Sequence, residues 1–315
     1  MEKKNVLLTI AYDGTRFSGW QRQPEKRTVQ GELERVLSEL CCTEIHINGT
    51  SRTDAGVHAL GQRASFCAEF GIPEERIPLA ANNLLTGGKL AGTGDIRILK
   101  TEIVPPEFHA RFNARGKKYI YRIRCAETPD IFLRNYRYQI TENLDIDAMR
   151  EAAAYIVGTH DFKCFQAAGG EEKETTVRTI HGIDIYETAV NGGGTSRETV
   201  YAMCEEAERT NTAAECGDAE NACAAAKRRK AENAKTAAER EIAIAVRGDG
   251  FLYNMVRIIT GTLVEVGLGK RKPSSLADII ASGARQNAGC TAPPQGLYLA
   301  EVYYNEQDLK GSMKK

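Results

Sequence analysis

A single carboxylate, Asp54, lies in the stretch Ser51-Arg52-Thr53-Asp54-Ala55-Gly56-Val57-His58-Ala59-Leu60-Gly61-Gln62, among small residues and beside Arg52. A carboxylate can act as nucleophile, general base or electrostatic stabiliser. A loop of little bulk lets another molecule's backbone come close. Asp and Gly are also common turn residues and Asp caps helices, so a plain turn is the competing reading. The stretch holds no second acid, so the paired carboxylates of glycoside hydrolysis would need one from elsewhere in the chain. A metal site would want several carboxylates or His ligands, and only His58 is near.

Two further residues stand out by context. Arg257 sits in Met255-Val256-Arg257-Ile258-Ile259, inside an otherwise apolar helical run. A buried, unpaired guanidinium costs several kcal/mol, roughly, so Arg257 either reaches the surface along its stem or pairs with an anion, for which Asp54 is a candidate. Tyr119 lies in Lys117-Lys118-Tyr119-Ile120-Tyr121-Arg122-Ile123-Arg124. Its spacing from Tyr121 puts both rings on one strand face, which suits a core; its basic neighbours equally suit stacking on an unpaired base. Basic and aromatic residues interleave again in Arg16-Phe17-Ser18-Gly19-Trp20-Gln21-Arg22, Phe108-His109-Ala110-Arg111-Phe112 and Arg134-Asn135-Tyr136-Arg137-Tyr138. Each alone fits a solvated surface; together they point to RNA more than to a small metabolite.

These residues need elements to hold them. Val6 to Tyr12 alternates as a strand, and Thr28 caps a helix with the stripe Val29, Leu33, Val36, Leu37 and Leu40. Ile45 to Ile47 and Arg63 to Phe66 read as short strands flanking the Asp54 stretch. Ile77 to Leu85 reads as helix, and Ile96 to Val104 as a strand ended by Pro105-Pro106, the expected boundary between an N-terminal half, 1–105, and a C-terminal half, 106–315. In the second half, Lys117 to Cys125 alternates, Asp145 caps a helix along Ile146, Met149, Ala153, Ile156 and Val157, and Gly158 stops it. Ile180 to Tyr186 and Ile242 to Val246 are strands. Tyr253 to Val266 is an apolar helix, Ser274 caps a short one, and Gly296 to Tyr304 is the last strand. The repeated plan suggests an α+β fold of two similar units. Residues 187–241 break it: rich in Ala, Glu, Lys and Arg, they read as an inserted helical hairpin, with disorder as the rival.

The 315 residues suffice for one large or two ordinary domains. No apolar run is long enough for a membrane span, and the N-terminus lacks signal-peptide character, so a cytoplasmic protein is expected. Nine cysteines without a CxxC pair read as free thiols in a reducing compartment. Net charge is zero, but 187–241 holds 8 basic and 11 acidic residues and the remainder 34 and 31, which tilts the main body towards a polyanionic partner. Gly267-Leu268-Gly269-Lys270 lacks phosphate-loop spacing, so no nucleotide cofactor is expected.

Arg52-Thr53-Asp54-Ala55-Gly56-Val57-His58 resembles the signature of the bacterial-type tRNA pseudouridine synthases that act at tRNA positions 38 to 40. Tyr12-Asp13-Gly14 with Gly19-Trp20-Gln21-Arg22-Gln23, Phe108-His109-Ala110-Arg111-Phe112 with Lys118-Tyr119-Ile120-Tyr121, Asn254-Met255-Val256-Arg257 and Gly296-Leu297-Tyr298-Leu299 resemble its other motifs, in family order. The resemblance implies two ferredoxin-like α/β halves whose mainly antiparallel sheets form one continuous central sheet with a cleft between them. It implies Asp54 as catalytic aspartate, Tyr119 stacked on the target uracil, Arg257 as the ion-pair partner of Asp54, and Arg52 displacing the flipped nucleotide. It also implies a homodimer that grips the tRNA anticodon stem-loop, with no cofactor and no metal. The insert departs from the family's compact pattern. A non-catalytic tRNA-binding or chaperone protein, and a nucleoside glycosidase releasing free uracil, are the alternatives.

Overall fold

The computed structural model describes residues 3–87, 94–170, 174–189 and 239–310. The expectation of a helical hairpin falls on residues outside these ranges, although the strands on either side, β8 (Val177–Ala189) and β9 (Arg240–Gly248), run to the edges of the gap. The fold is mixed α/β around one large, mostly antiparallel open sheet.

Its strands are β1 (Lys4–Tyr12), β2 (Asn48–Gly49), β3 (His58–Ala68), β4 (Ile96–Val104), β5 (Gly116–Cys125), β6 (Tyr138–Ile140), β7 (Gly158–Asp161), then β8 and β9, and β10 (Leu297–Tyr303). The order is β4-β1-β3-β10-β5-β9-β8-β7, with β2 on β3 and β6 on β5. The last strand therefore lies in the middle of the sheet, antiparallel to β5 and parallel to β3. Six helices accompany them among the described residues: α1 (Val29–Cys41), α2 (Ile77–Leu85), α3 (Ile146–Ala154), α4 (Met255–Gly267), α5 (Ser275–Ser282) and α6 (Glu306–Lys310).

Strand parity separates two cores. Tyr119, Tyr121, Ile123 and Cys125 of β5 join the main core with α1, α3 and α4, while Ile120 faces a smaller cluster with Leu60, Tyr186, Ala243, Ala245, Tyr298 and Ala300. Helix α4 is buried almost all round, as a helix without a polar face must be. The caps at Thr28 and Asp145 form as expected, accepting from Gly31 N–H at 3.3 Å and Ala148 N–H at 3.0 Å.

Several elements differ from the periodicity reading. Ile45 to Ile47 is not a strand. The carboxylate of Glu34 accepts the Ile47 N–H at 3.1 Å and Ser38 Oγ the Ile45 N–H at 2.8 Å, so these amides need no ladder. Strand β3 starts at His58 rather than Arg63, because His58 and Gln62 are buried polar residues that mask the alternation. Strand β7 was hidden because Gly158-Thr159-His160-Asp161 carries no apolar face; it is recruited by pairing with β8. Gly158 thus opens a strand, and α3 has already ended at Ala154, leaving Val157 exposed. Ser274 precedes α5 in a helical conformation and makes no side-chain cap.

Candidate active site

The loop that carries Asp54 is clamped from the first strand–helix connection. Tyr12, at the end of β1, hydrogen-bonds Thr53 Oγ1 through its hydroxyl at 2.7 Å. The Trp20 N–H donates to the Thr53 carbonyl at 3.0 Å. Two glycines make this approach possible. A Cβ on Gly14 would fall 2.0 Å from the Val57 carbonyl oxygen, and Gly19, at φ +91°, would bring one to 2.8 Å from the Thr53 oxygen. From β3, the Gln62 amide spans the loop's base, donating to the Ser51 carbonyl at 2.7 Å and accepting from its N–H at 3.3 Å. A turn closed by Val57 N–H to the Asp54 carbonyl, 3.1 Å, then leaves the Asp54 side chain lining an open cavity.

Arg257 meets it from the first turn of α4. Its Nη1 donates to Asp54 Oδ2 at 3.4 Å and to Asn254 Oδ1 at 2.7 Å, and its Nε to the Ala292 carbonyl at 2.7 Å. Asn254 enters the helix at φ 59°, a left-handed conformation that Asn tolerates better than most residues. Burial raises the Asp54 carboxyl above the ordinary aspartate value; Arg257 opposes the shift without cancelling it.

Tyr119 projects from the middle of β5. Its hydroxyl shares a 3.1 Å hydrogen bond with Ser51 Oγ, and its ring meets Phe251 edge-on, with centroids 5.1 Å apart. Burial pushes the phenol up to about 12, and the Asp54 charge adds to the effect, so the hydroxyl stays neutral at physiological pH.

The cavity, about 560 Å³, lies between α1 (Gln30) and the start of α4 (Met255, Val256, Arg257). Among the described residues its charged lining is Arg52, Arg111, Lys117, Arg178 and Arg257 with one carboxylate, Asp54. Arg52 is exposed, its Nε bonded to Gln21 Oε1 at 3.1 Å. All four residues singled out from the sequence therefore line one cavity.

Several other candidates lie elsewhere. Arg122 and Arg124 share the sheet face opposite Tyr119 and pair with Glu241 and Glu239. Arg137 also binds Glu241, at 2.7 and 2.9 Å, so these cations neutralise a buried acid. Trp20 lines the cavity but is largely buried in its wall, with its ring centroid 6.0 Å from that of Tyr12. His58 is buried behind the loop, stacked on Tyr298 at 4.8 Å and bonded to the Asn135 carbonyl at 2.9 Å. Sequence reading did not single out Phe251 or Ser51's bond to Tyr119; the aromatic after Gly248-Asp249-Gly250 was the one available signal. Among the described residues no group of three or more His, Cys, Asp or Glu side chains could hold a metal ion, and no helix is long and apolar enough to cross a membrane.

The family described as tRNA pseudouridine synthase matches residues 8–113 and 152–305. The chain is 40% identical over 304 residues to the tRNA pseudouridine synthase A 2 of Clostridium tetani, covering 96% of this chain and 99% of that one. It is 38% identical over 301 residues to the tRNA pseudouridine synthase A of Acetivibrio thermocellus (96% and 100% covered). The Halalkalibacterium halodurans protein of that name is 39% identical over 295 residues (93% and 90% covered).

Proposed function

Because the chain belongs to the tRNA pseudouridine synthase family, we propose that Asp54 is the carboxylate with which it isomerises uridine to pseudouridine at positions 38 to 40 of the tRNA anticodon stem-loop. The reaction breaks the N1–C1′ bond, turns the uracil and joins C5 to C1′. The C5 proton is lost and N1 gains one, so atoms and electrons balance without an oxidant or an energy source.

The observation that carries this reading is the convergence of Asp54, Arg257 and Tyr119 in a cavity whose other charged liners among the described residues are cations. A polyanion suits such a lining, and a volume of about 560 Å³ suits a single extruded nucleotide. Asp54, kept partly out of water, is the group that attacks the sugar or base or takes a proton from the sugar. Arg257 holds it in place, Tyr119 stacks on the uracil, and Arg52 fills the vacated stack. Unstacking a base costs a few kcal/mol, roughly, which stacking on Tyr119 offsets.

The finer architecture belongs to this reading. Residues 1–105 and 106–315 form two ferredoxin-like halves with the cleft between them, and 187–241 is an insertion. Supporting this, β1 to β4 form one side of the sheet and β5 to β9 the other. A homodimer, with both copies gripping one tRNA, and a cytoplasmic location complete the proposal.

The test is an unmodified tRNA transcript tritiated at uridine C5. Tritium release with pseudouridine in the product, abolished by Asp54→Ala, is expected. No release from any tRNA bearing uridine at 38 to 40 would overturn the reading; free uracil would indicate a glycosidase; full function in Asp54→Ala would indicate a non-catalytic tRNA-binding protein.

A further inference from the structure

Of the exposed large apolar side chains among the described residues, Phe112 and Tyr253 line the cavity, and Phe112 is the more exposed, 77% against 41%. Burying a Phe side chain is worth about 1.5–3 kcal/mol, which the fold forgoes at Phe112. Its loop is well anchored. Asn5 Nδ2 donates to the Pro105 and Phe108 carbonyls at 2.9 and 2.8 Å. The Ala110 N–H donates to Ser65 Oγ at 3.1 Å, and the Ala110 carbonyl accepts from Thr50 Oγ1 and the Tyr304 hydroxyl, each at 3.0 Å. Within the loop, Asn113 Oδ1 accepts the His109 N–H at 2.8 Å, and His109 Nδ1 accepts the Arg111 N–H at 3.1 Å.

That last bond orients the His109 ring, which lies against Phe112 with centroids 4.3 Å apart and planes tilted by 35°. The result is a two-ring platform at the cavity rim, next to the Arg111 cation. Thr50 ties it to the segment that carries Asp54, four residues further on. A fixed aromatic surface beside a cation is the arrangement that receives an unpaired base while the cation meets its phosphate.

We propose that His109 and Phe112 form a second stacking platform, which receives a base neighbouring the reacting uridine, with Arg111 on the backbone phosphate. The inference rests on the isomerase reading above and deepens it. Because Phe112 packs on little else, its truncation leaves the fold intact.

Binding is measured by titrating the tRNA transcript over a range of salt, in an Asp54→Asn background that prevents turnover. Phe112→Ala is expected to weaken binding about 10-fold with an unchanged salt slope, and Phe112→Trp to restore it, since stacking releases no counterions. Arg111→Gln is expected to lower the salt slope by about one. A transcript with an abasic nucleotide beside the target uridine should lose the same factor, with no further loss in Phe112→Ala. Phe112→Ala binding within about twofold of its parent, or an additive loss with the abasic transcript, overturns the platform. The two readings fail separately: binding without tritium release in the wild type removes the isomerase, whereas tritium release with unimpaired Phe112→Ala binding removes the platform.

Discussion

Arg257 Nη1 stands 3.4 Å from Asp54 Oδ2, joining positions 203 residues apart in the chain. The guanidinium is also held by the Ala292 carbonyl and by Asn254 Oδ1, so it is the fixed member of the pair. Among the described residues the Asp54 carboxylate has no such second anchor, and it faces the cavity.

The raised Asp54 carboxyl fixes the sign of its effect on stability. A carboxyl that binds its proton more tightly in the folded than in the unfolded chain favours folding at low pH, and that contribution is lost as pH rises through its folded-state value. Above it, the ionised group is a net cost to the fold. Asp54→Asn is therefore expected to abolish turnover yet melt at the same or a higher temperature at about pH 8, the difference shrinking as pH falls into the carboxylate range. A clear loss of stability at pH 8 would contradict the balance between burial and Arg257.

Arg257→Met keeps the bulk of the side chain and removes its charge. With the opposing influence gone, Asp54 should hold its proton to higher pH, and the acid limb of the kcat/KM profile should move upward. The Ala292 carbonyl and Asn254 also lose their donor, so a stability loss of about 1–3 kcal/mol is expected in urea unfolding. An unmoved acid limb would detach Arg257 from the chemistry.

Tyr119→Phe removes one hydroxyl and keeps the ring. Ser51 Oγ loses its 3.1 Å partner, which should cost about 1 kcal/mol. Stacking survives, so KM should change little while kcat falls. Tyr119→Leu, which removes the π-face, should raise KM as well. Wild-type kcat in Tyr119→Phe would leave the hydroxyl without a part in turnover.

Gly14→Ala tests the clamp without touching the cavity. Its Cβ would fall 2.0 Å from the Val57 carbonyl, so the turn that follows Asp54 must move. A displacement of order 1 Å at a reacting group costs about 100-fold in rate. The expected outcome is a large fall in kcat together with a lower melting temperature. Full activity would mean that the loop tolerates the shift.

The sequence carried what is periodic and local. Alternation marked β1 and β5, short apolar runs marked β4, β8 and β9, a 3.6-residue stripe marked α1 and α3, and Thr28 and Asp145 announced their helix starts. It also displayed the two chemical oddities, a lone carboxylate among small residues and a cation inside an apolar helix, because these are violations of local pattern. Short-range pattern is silent wherever a distant partner satisfies the backbone or the charge. Glu34 removes the strand at Ile45 to Ile47, and pairing with β8 creates β7. Parity alone could send Arg122 to the face opposite Tyr119, but only the pairing of β5 with β9 gives it Glu241. Likewise, tertiary packing draws Trp20 into the core and leaves Phe112 outside, although both lie in similar basic and aromatic runs. The threading of β10 between β3 and β5 is long-range closure, and the meeting of Asp54, Tyr119 and Arg257 is a property of that closure rather than of any stretch of chain.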